Sequence, residues 1–311
     1  MSVPVLNARE TAQALPYKQL VPALSQAAQE LFAGKITAPE RQVVPIGGAN
    51  VLLSMPAIGA DISVTKLITV HPDNSAHELP TIQGEVIVFD TKTGRRLVQL
   101  DGPTVTARRT AAMTLLGIDV LGIRKPKSAL LIGVGVQAAA HAAALSDYFG
   151  IRRFWVAGRD AERTESFCRA LSARVPGIEA NAISMAQLKS DVPAADVLIS
   201  LTTSRTPVIP AKLAARTLAI GVGAFKPDMV EFPASLLAER IIVVDDLEGA
   251  KHEAGDLIQA KVDWQRVRVL GDLLAGGPPL QGMPIFKTVG QAAWDLAAAR
   301  VVCEGMLASA E

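Results

Sequence analysis

Cysteine is scarce in this chain: Cys168 and Cys303 are the two among 311 residues. Both fall in helix-like stretches without metal spacing, which excludes a disulfide-stapled scaffold and fits core thiols in a reducing compartment. Histidine is also sparse, and His71, His77, His141 and His252 share no ligand spacing, so no metal is expected. Charge of one sign is not in excess. A formal net charge of +1 gives no electrostatic pull toward nucleic acid or an anionic membrane. Long apolar runs are missing too, because the best stretch, 129–145, is broken by Gly133, Gly135, Gln137 and His141. The first residues carry no basic region followed by an apolar block, so no signal peptide is expected. No G-x-S-x-G, H-E-x-x-H or Cys-x-x-Cys occurs, and there are no repeats or low-complexity tracts. These absences leave a soluble, cytoplasmic globular protein, long enough for two domains.

What is present centres on Lys127–Leu145. An apolar run at Ala129–Ile132 reads as a buried parallel strand. It breaks at Gly133-Val-Gly135-Val136-Gln137-Ala138, and a small-residue helix follows. Strand, G-x-G-x-x-A and helix in that order form the dinucleotide fingerprint in its proper context. Gly133 allows the tight turn, Gly135 lets the backbone approach a pyrophosphate, and Ala138 lets the helix sit close to the strand. The helix N-terminus offers N–H groups and partial positive charge to phosphates. A glycine turn in a nucleotide-free sheet is the competing interpretation.

Around this stretch the texture divides. Residues 17–32 place Tyr17, Leu20, Val21, Leu24, Ala28, Leu31 and Phe32 on one helical face. After Gly34 come β-rich pieces at 42–45, 51–55, 62–70, 84–90 and 95–101, the last two a hairpin turning at 91–94. This predicts an α+β domain with a mostly antiparallel sheet. A helix at about 105–121 leads to the fingerprint strand. Strands at 154–157, 197–201, 218–222 and 241–244 then alternate with helices near 160–174, 184–190, 233–238 and 249–259, predicting a parallel, doubly wound sheet. Residues 286–290 are expected to open a final helix over 291–307.

Two groups of side chains suggest chemistry. Where an NAD site usually has a carboxylate after the second strand, this chain has Gly158-Arg159. Arg159, backed by Arg163, would match a 2′-phosphate through charge-assisted hydrogen bonds. The alternative is a solvated arginine beside Asp160 acting as an N-cap. The second group is Arg41, Lys66 and Arg109. Lys66 interrupts an apolar strand, and burying it is costly without an anionic partner. Three converging cations would suit a substrate carboxylate, although spacing alone does not bring them together.

The motifs Val64-Thr-Lys-Leu-Ile-Thr-Val-His-Pro-Asp-Asn74, Thr106-Ala-Arg-Arg-Thr-Ala-Ala112, Gly133-Val-Gly-Val-Gln137, Ala195-Asp-Val-Leu-Ile-Ser200, Val222-Gly-Ala-Phe-Lys-Pro-Asp228 and Phe286-Lys-Thr-Val-Gly290 occur in order. In these the chain resembles the ornithine cyclodeaminase/μ-crystallin family over nearly its whole length. The resemblance implies an α/β fold: a Rossmann-type doubly wound domain at 111–289, and an α+β substrate and dimerisation domain from 1–110 and 290–311. It implies that Arg41, Lys66 and Arg109 hold a substrate carboxylate. It also implies cofactor contacts at Thr81, Gly135, Gln137, Arg159, Thr202, Thr203, Val222 and Thr288, and Gly133, Val136, Arg163 and Ser204 complete the expected cofactor set. Cyclodeaminases carry a catalytic aspartate where this chain has Phe225, which cannot transfer a proton; Asp228 lies three residues on. Gly-Ala-Phe-Lys-Pro is similar to the branch that reduces Δ1-pyrroline-2-carboxylate and Δ1-piperideine-2-carboxylate to L-proline and L-pipecolate. The expectation is therefore a homodimeric ketimine reductase using NADPH, with NADH weaker. Ornithine cyclodeamination, alanine dehydrogenation and non-catalytic small-acid binding of the μ-crystallin type are the alternatives.

Overall fold

Apolar residues alternate along the strands of the first hundred residues, and that alternation decides which face of their sheet is covered. The computed structural model describes residues 3–122 and 125–308; the outermost residues of the expected two-ended domain lie outside these. The chain divides into two compact units, one running to Ala112 and resuming at Gln291, the other spanning Met113–Gly290.

The first unit contains β1 (Val5–Leu6), α1 (Ala8–Gln13), α2 (Tyr17–Phe32), β2 (Gln42–Gly47), β3 (Asn50–Ile58), β4 (Ile62–Val70), β5 (Ile82–Asp90) and β6 (Arg96–Asp101). Helix α3 (Gly102–Val120) starts here and ends in the second unit. The sheet order is β1-β6-β5-β4-β3-β2. Every pairing is antiparallel except β1 with β6, which is parallel. Neither β1 nor α1 was expected from the sequence. Asn7 and Glu10 cap α1 reciprocally, a local signal too short to stand out in a periodicity search. On β4 the buried face carries Ile62, Val64, Lys66 and Ile68. The final helix of the chain, Ala292–Ala308, packs on β3, β4 and α2 and buries Trp294 completely.

The second unit runs β7 (Ser128–Ile132), α4 (Val136–Phe149), β8 (Arg153–Gly158), α5 (Ala161–Arg174), β9 (Glu179–Ser184), α6 (Met185–Ser190), β10 (Val197–Ser200) and β11 (Leu218–Gly221). Then come α7 (Ala234–Glu239), β12 (Ile242–Val244), α8 (Leu247–Glu253), α9 (Gly255–Gln259), β13 (Arg268–Val269), α10 (Leu270–Leu274) and β14 (Ile285–Lys287), and the helix at Ala292–Ala308 is α11. Eight strands pair in parallel in the order β13-β12-β14-β11-β10-β7-β8-β9. Strand β7 is buried at all five positions, as its unbroken apolar run requires. Three details differ from expectation. Residues 285–287 form a central strand between β11 and β12, and the last helix starts only at Ala292. The stretch 249–259 is two helices, separated at Ala254. Strands β9 and β13 are additional, and β9 alternates too weakly in polarity to reveal itself.

Candidate functional site

Chain order reverses between β7 and β10, which lie side by side while β8 and β9 extend the other way. In open parallel sheets, ligands bind outside the C-terminal strand ends at such a switch point. The turn after β7 is built for close approach. Gly133 has φ +119, and a Cβ there would lie 2.7 Å from the carbonyl oxygen of Leu201. Gly135 precedes α4, and a Cβ at Gly135 would meet only open space. Val136 is 80% exposed, an apolar side chain left uncovered beside that turn. Gln137 Oε1 is buried without a hydrogen-bond partner. Ala138 is fully buried, as its role in helix–strand packing demands.

At the end of β8, Arg159 and Arg163 are both exposed, and Asp160 caps α5 by accepting from the Arg163 N–H at 2.8 Å. The capping role of Asp160 leaves the Arg159 side chain to solvent or to an anion. Thr202, Thr203 and Ser204 follow β10, while Val222, Gly223, Ala224 and Phe225 follow β11. Phe225 is 37% exposed and lies under the Lys226 ammonium, 5.9 Å from its ring centre. Asp228 pairs with Arg205 at 3.0 Å on the surface. Thr288 is buried, and its hydroxyl donates to Asp245, so that side chain is committed within the protein. Thr81 belongs to the first unit and is exposed, its carbonyl accepting from the His71 N–H.

Sequence reasoning missed what holds these loops. The fully buried Glu231 carboxylate accepts from Ser200 Oγ, Thr202 N and Thr202 Oγ1 through Oε1, and from Gly223 N and Ala224 N through Oε2. One anion therefore ties the turn after β10 to the turn after β11. Behind it, Asp256 accepts from the Glu231 and Phe232 N–H groups and pairs with the buried Lys287 at 3.2 Å. His141, one turn into α4, is buried between Thr114 Oγ1 and the Gln137 carbonyl, and burial pulls its pKa down to about 4. Among the described residues no His, Cys, Asp or Glu cluster could hold a metal.

In the first unit, two of the three singled-out cations meet one carboxylate. Lys66, 1% exposed, pairs with Asp295 at 2.8 Å, and Arg109 Nε donates to the other oxygen of Asp295 at 3.3 Å. The strand neighbours of Lys66 are Met55 and Val86, both buried. Burial pulls the lysine pKa down to about 8; Asp295 opposes the shift, while Arg109 and Arg41 add to it. Asp295 is the anionic partner that a buried lysine needs. Its signal in the sequence was a lone acid in the otherwise apolar run Ala292-Ala-Trp-Asp-Leu-Ala-Ala-Ala299.

The doubly wound sheet, the switch point and the open glycine turn define a dinucleotide-binding α/β protein. The uncovered Val136, the unpartnered Gln137 Oε1 and the empty space at Gly135 all fit a nicotinamide dinucleotide. This chain belongs to the ornithine cyclodeaminase/mu-crystallin family, whose model matches residues 2–310. It is 47% identical over 306 residues to Delta(1)-pyrroline-2-carboxylate reductase 2 of Burkholderia ambifaria, covering 98% of this chain and 96% of that protein. It is 46% identical to the Delta(1)-pyrroline-2-carboxylate/Delta(1)-piperideine-2-carboxylate reductase of Azospirillum brasilense, covering 98% and 97%. Among solved structures, Thermococcus litoralis Delta(1)-pyrroline-2-carboxylate reductase in complex with NADH and L-proline matches with TM-score 0.87 and 25% identity, over 100% of this chain and 98% of that one.

Proposed function

We propose that this chain reduces Δ1-pyrroline-2-carboxylate and Δ1-piperideine-2-carboxylate to L-proline and L-pipecolate, with NADPH preferred over NADH. The observation that carries the reading is the buried Lys66–Asp295–Arg109 cluster, in a chain 47% identical over 98% of its length to a named reductase of this kind. Residues 111–289 take the nucleotide, and residues 1–110 with 290–311 take the substrate and dimerise.

Gly133, Gly135, Val136 and Gln137 would cradle the pyrophosphate, with Thr202, Thr203, Ser204 and Val222 bordering it. Arg159 and Arg163 would meet the 2′-phosphate, which is the basis for preferring NADPH. A reduced nicotinamide bound there supplies a hydride. The chain's own contribution is positioning. Lys66, Arg109 and Arg41 fix the substrate carboxylate, and that fixes the neighbouring imine carbon. The imine nitrogen takes its proton from solvent, so no side-chain acid is needed, and Phe225 offers an apolar surface where an acid would otherwise stand. Thr81 and Thr288 complete the proposed cofactor set, Thr288 through its backbone because its hydroxyl is buried and engaged with Asp245. The outer face of the first sheet exposes Val44, Ile58 and Leu67 at 42%, 48% and 43%, which suits a homodimer contact. A cytoplasmic homodimer completes the reading; among the described residues no helix is long and apolar enough to cross a membrane.

The test is spectrophotometric. Purified protein with NADPH and Δ1-pyrroline-2-carboxylate should oxidise the cofactor and form L-proline. No oxidation with either cyclic imino acid would remove the assignment.

A further inference from the structure

Asp295 stands apart from every residue assigned a role in substrate or cofactor binding. It is fully buried on the first turn of α11, yet both of its oxygens face cations that the proposed function gives to the substrate carboxylate. Its helix is fixed at a second point, where Arg300 pairs with Glu30 of α2 at 2.7 Å and with Asp61 at 2.8 Å. We propose that Asp295 is the positioning residue of the carboxylate clamp, holding Lys66 charged and fixing Lys66 and Arg109 in a shared orientation; this rests on the reading that those cations receive the substrate carboxylate.

Lys66 sits between apolar neighbours on β3 and β5, so water does little for its charge. The groups facing it are Asp295 from α11, Arg109 from α3 and Arg41 from just before β2. Two of these three repel a proton on Lys66, and Asp295 alone favours it. Without Asp295, burial and the two guanidinium groups would act unopposed, and Lys66 would lose its proton well below its present pKa of about 8. A neutral amine cannot hold a carboxylate as an ammonium does. Asp295 does not compete for substrate in a simple way: the two cations it bridges, Lys66 and Arg109, and its own single negative charge leave a net +1 on that trio to meet a carboxylate.

The experiment measures binding, which separates it from turnover. Pyrrole-2-carboxylate is a planar five-membered acid whose ring nitrogen does not titrate in the range used. Its affinity for the full-length protein saturated with NADP+ is measured by calorimetry from about pH 6 to about pH 10. In the unmodified protein, affinity should fall about tenfold as pH rises through about 8. D295N should bind within about threefold of the unmodified protein at pH ~6, but about tenfold more weakly at pH ~8, its limb displaced downward by about one pH unit or more. D295E, which keeps the charge, should keep the limb. A D295N defect of equal size at every pH would make Asp295 a packing residue and overturn the proposal, as would unchanged binding. Should D295N fail to fold, D295E decides: affinity kept within about threefold of the unmodified protein across the range supports the charge role, whereas an equal loss of more than about tenfold at every pH makes the side chain's fit decisive and overturns the proposal. NADPH oxidation by the unmodified protein together with a D295N binding defect that does not change with pH sinks the role of Asp295 and leaves the reductase reading standing. Absence of both binding and oxidation removes that reading itself.

Discussion

Replacing Glu231 by glutamine changes one oxygen to an NH2 group, removes the negative charge and leaves the shape nearly intact, so the result reports on charge-assisted hydrogen bonding rather than on packing. The carboxylate accepts five donors, three on Oε1 and two on Oε2, at 2.5–3.0 Å. In the less damaging orientation the amide NH2 faces Gly223 N and Ala224 N, two backbone donors with no substitute acceptor on Glu231. Hydrogen bonds to a charged group are worth about 1.5–3 kcal/mol each, so the loss should be about 3–6 kcal/mol. Against a typical total of about 5–15 kcal/mol that is a large fraction. There is little room for the loops to readjust: a Cβ on Gly223 would already lie 2.0 Å from the Thr202 carbonyl oxygen and 2.7 Å from Glu231 Oε1. The assay is urea unfolding of the full chain, followed by NADPH binding from the enhancement of its fluorescence. Glu231→Gln should lower the unfolding midpoint and weaken NADPH binding, because the turns after β10 and β11 lose their common anchor. A stability loss below about 1 kcal/mol, with unchanged NADPH affinity, would refute the claim that this carboxylate organises the cofactor loops.

Arg159→Ala should remove most of the preference for NADPH over NADH, about tenfold in kcat/KM given the exposure of the guanidinium, while NADH use is spared; equal use of both cofactors by the unmodified protein would refute the 2′-phosphate assignment. Phe225→Leu should keep reductase activity within about tenfold, whereas Phe225→Asp should do worse by repelling the substrate carboxylate. With no acid at that position, L-ornithine should release no ammonia with NAD, and appreciable release would point to Asp228 abandoning its pairing with Arg205. His141 has a folded-state pKa of about 4 against an ordinary 6.5, so the folded state binds fewer protons than the unfolded state between those values. Its contribution is therefore present above pH ~6.5 and lost as pH falls through ~4, a change of about 3 kcal/mol. His141→Gln should flatten that part of the urea midpoint against pH, and an unchanged acid slope would place the titration elsewhere.

What could be inferred from the sequence follows the range of the interactions. The fingerprint is legible because its strand, turn and helix are contiguous and each glycine has a local task. Lys66 drew attention because it breaks an alternating apolar face within nine residues of strand. Its partner did not, since Asp295 follows Arg109 by 186 residues and nothing local marks which buried cation it meets. Glu231 did not stand out in the sequence, because its donors come from two other strand ends. The order of the parallel strands was hidden for a similar reason. A three-residue strand such as β14 carries too few side chains to show a period, and its place between β11 and β12 is set by packing on both neighbours.

The return of α11 to the first unit also sets a timetable for synthesis. Residues 113–290 form one uninterrupted segment and can fold as soon as they leave the ribosome. The first unit cannot. Its sheet emerges early, but the helix that packs on β3 and β4 and brings Asp295 to Lys66, residues 292–308, is made last. Until then Lys66 lacks its anion, and the apolar side chains beside it are open to other nascent chains. Closing so long a loop is slow, since the entropy of bringing distant segments together is lost before their contacts form. The N-terminal part up to Ala112, although synthesised first, is the last to become native. A chain interrupted before α11 would therefore leave a folded nucleotide unit attached to an uncovered sheet, a natural target for chaperones and proteases.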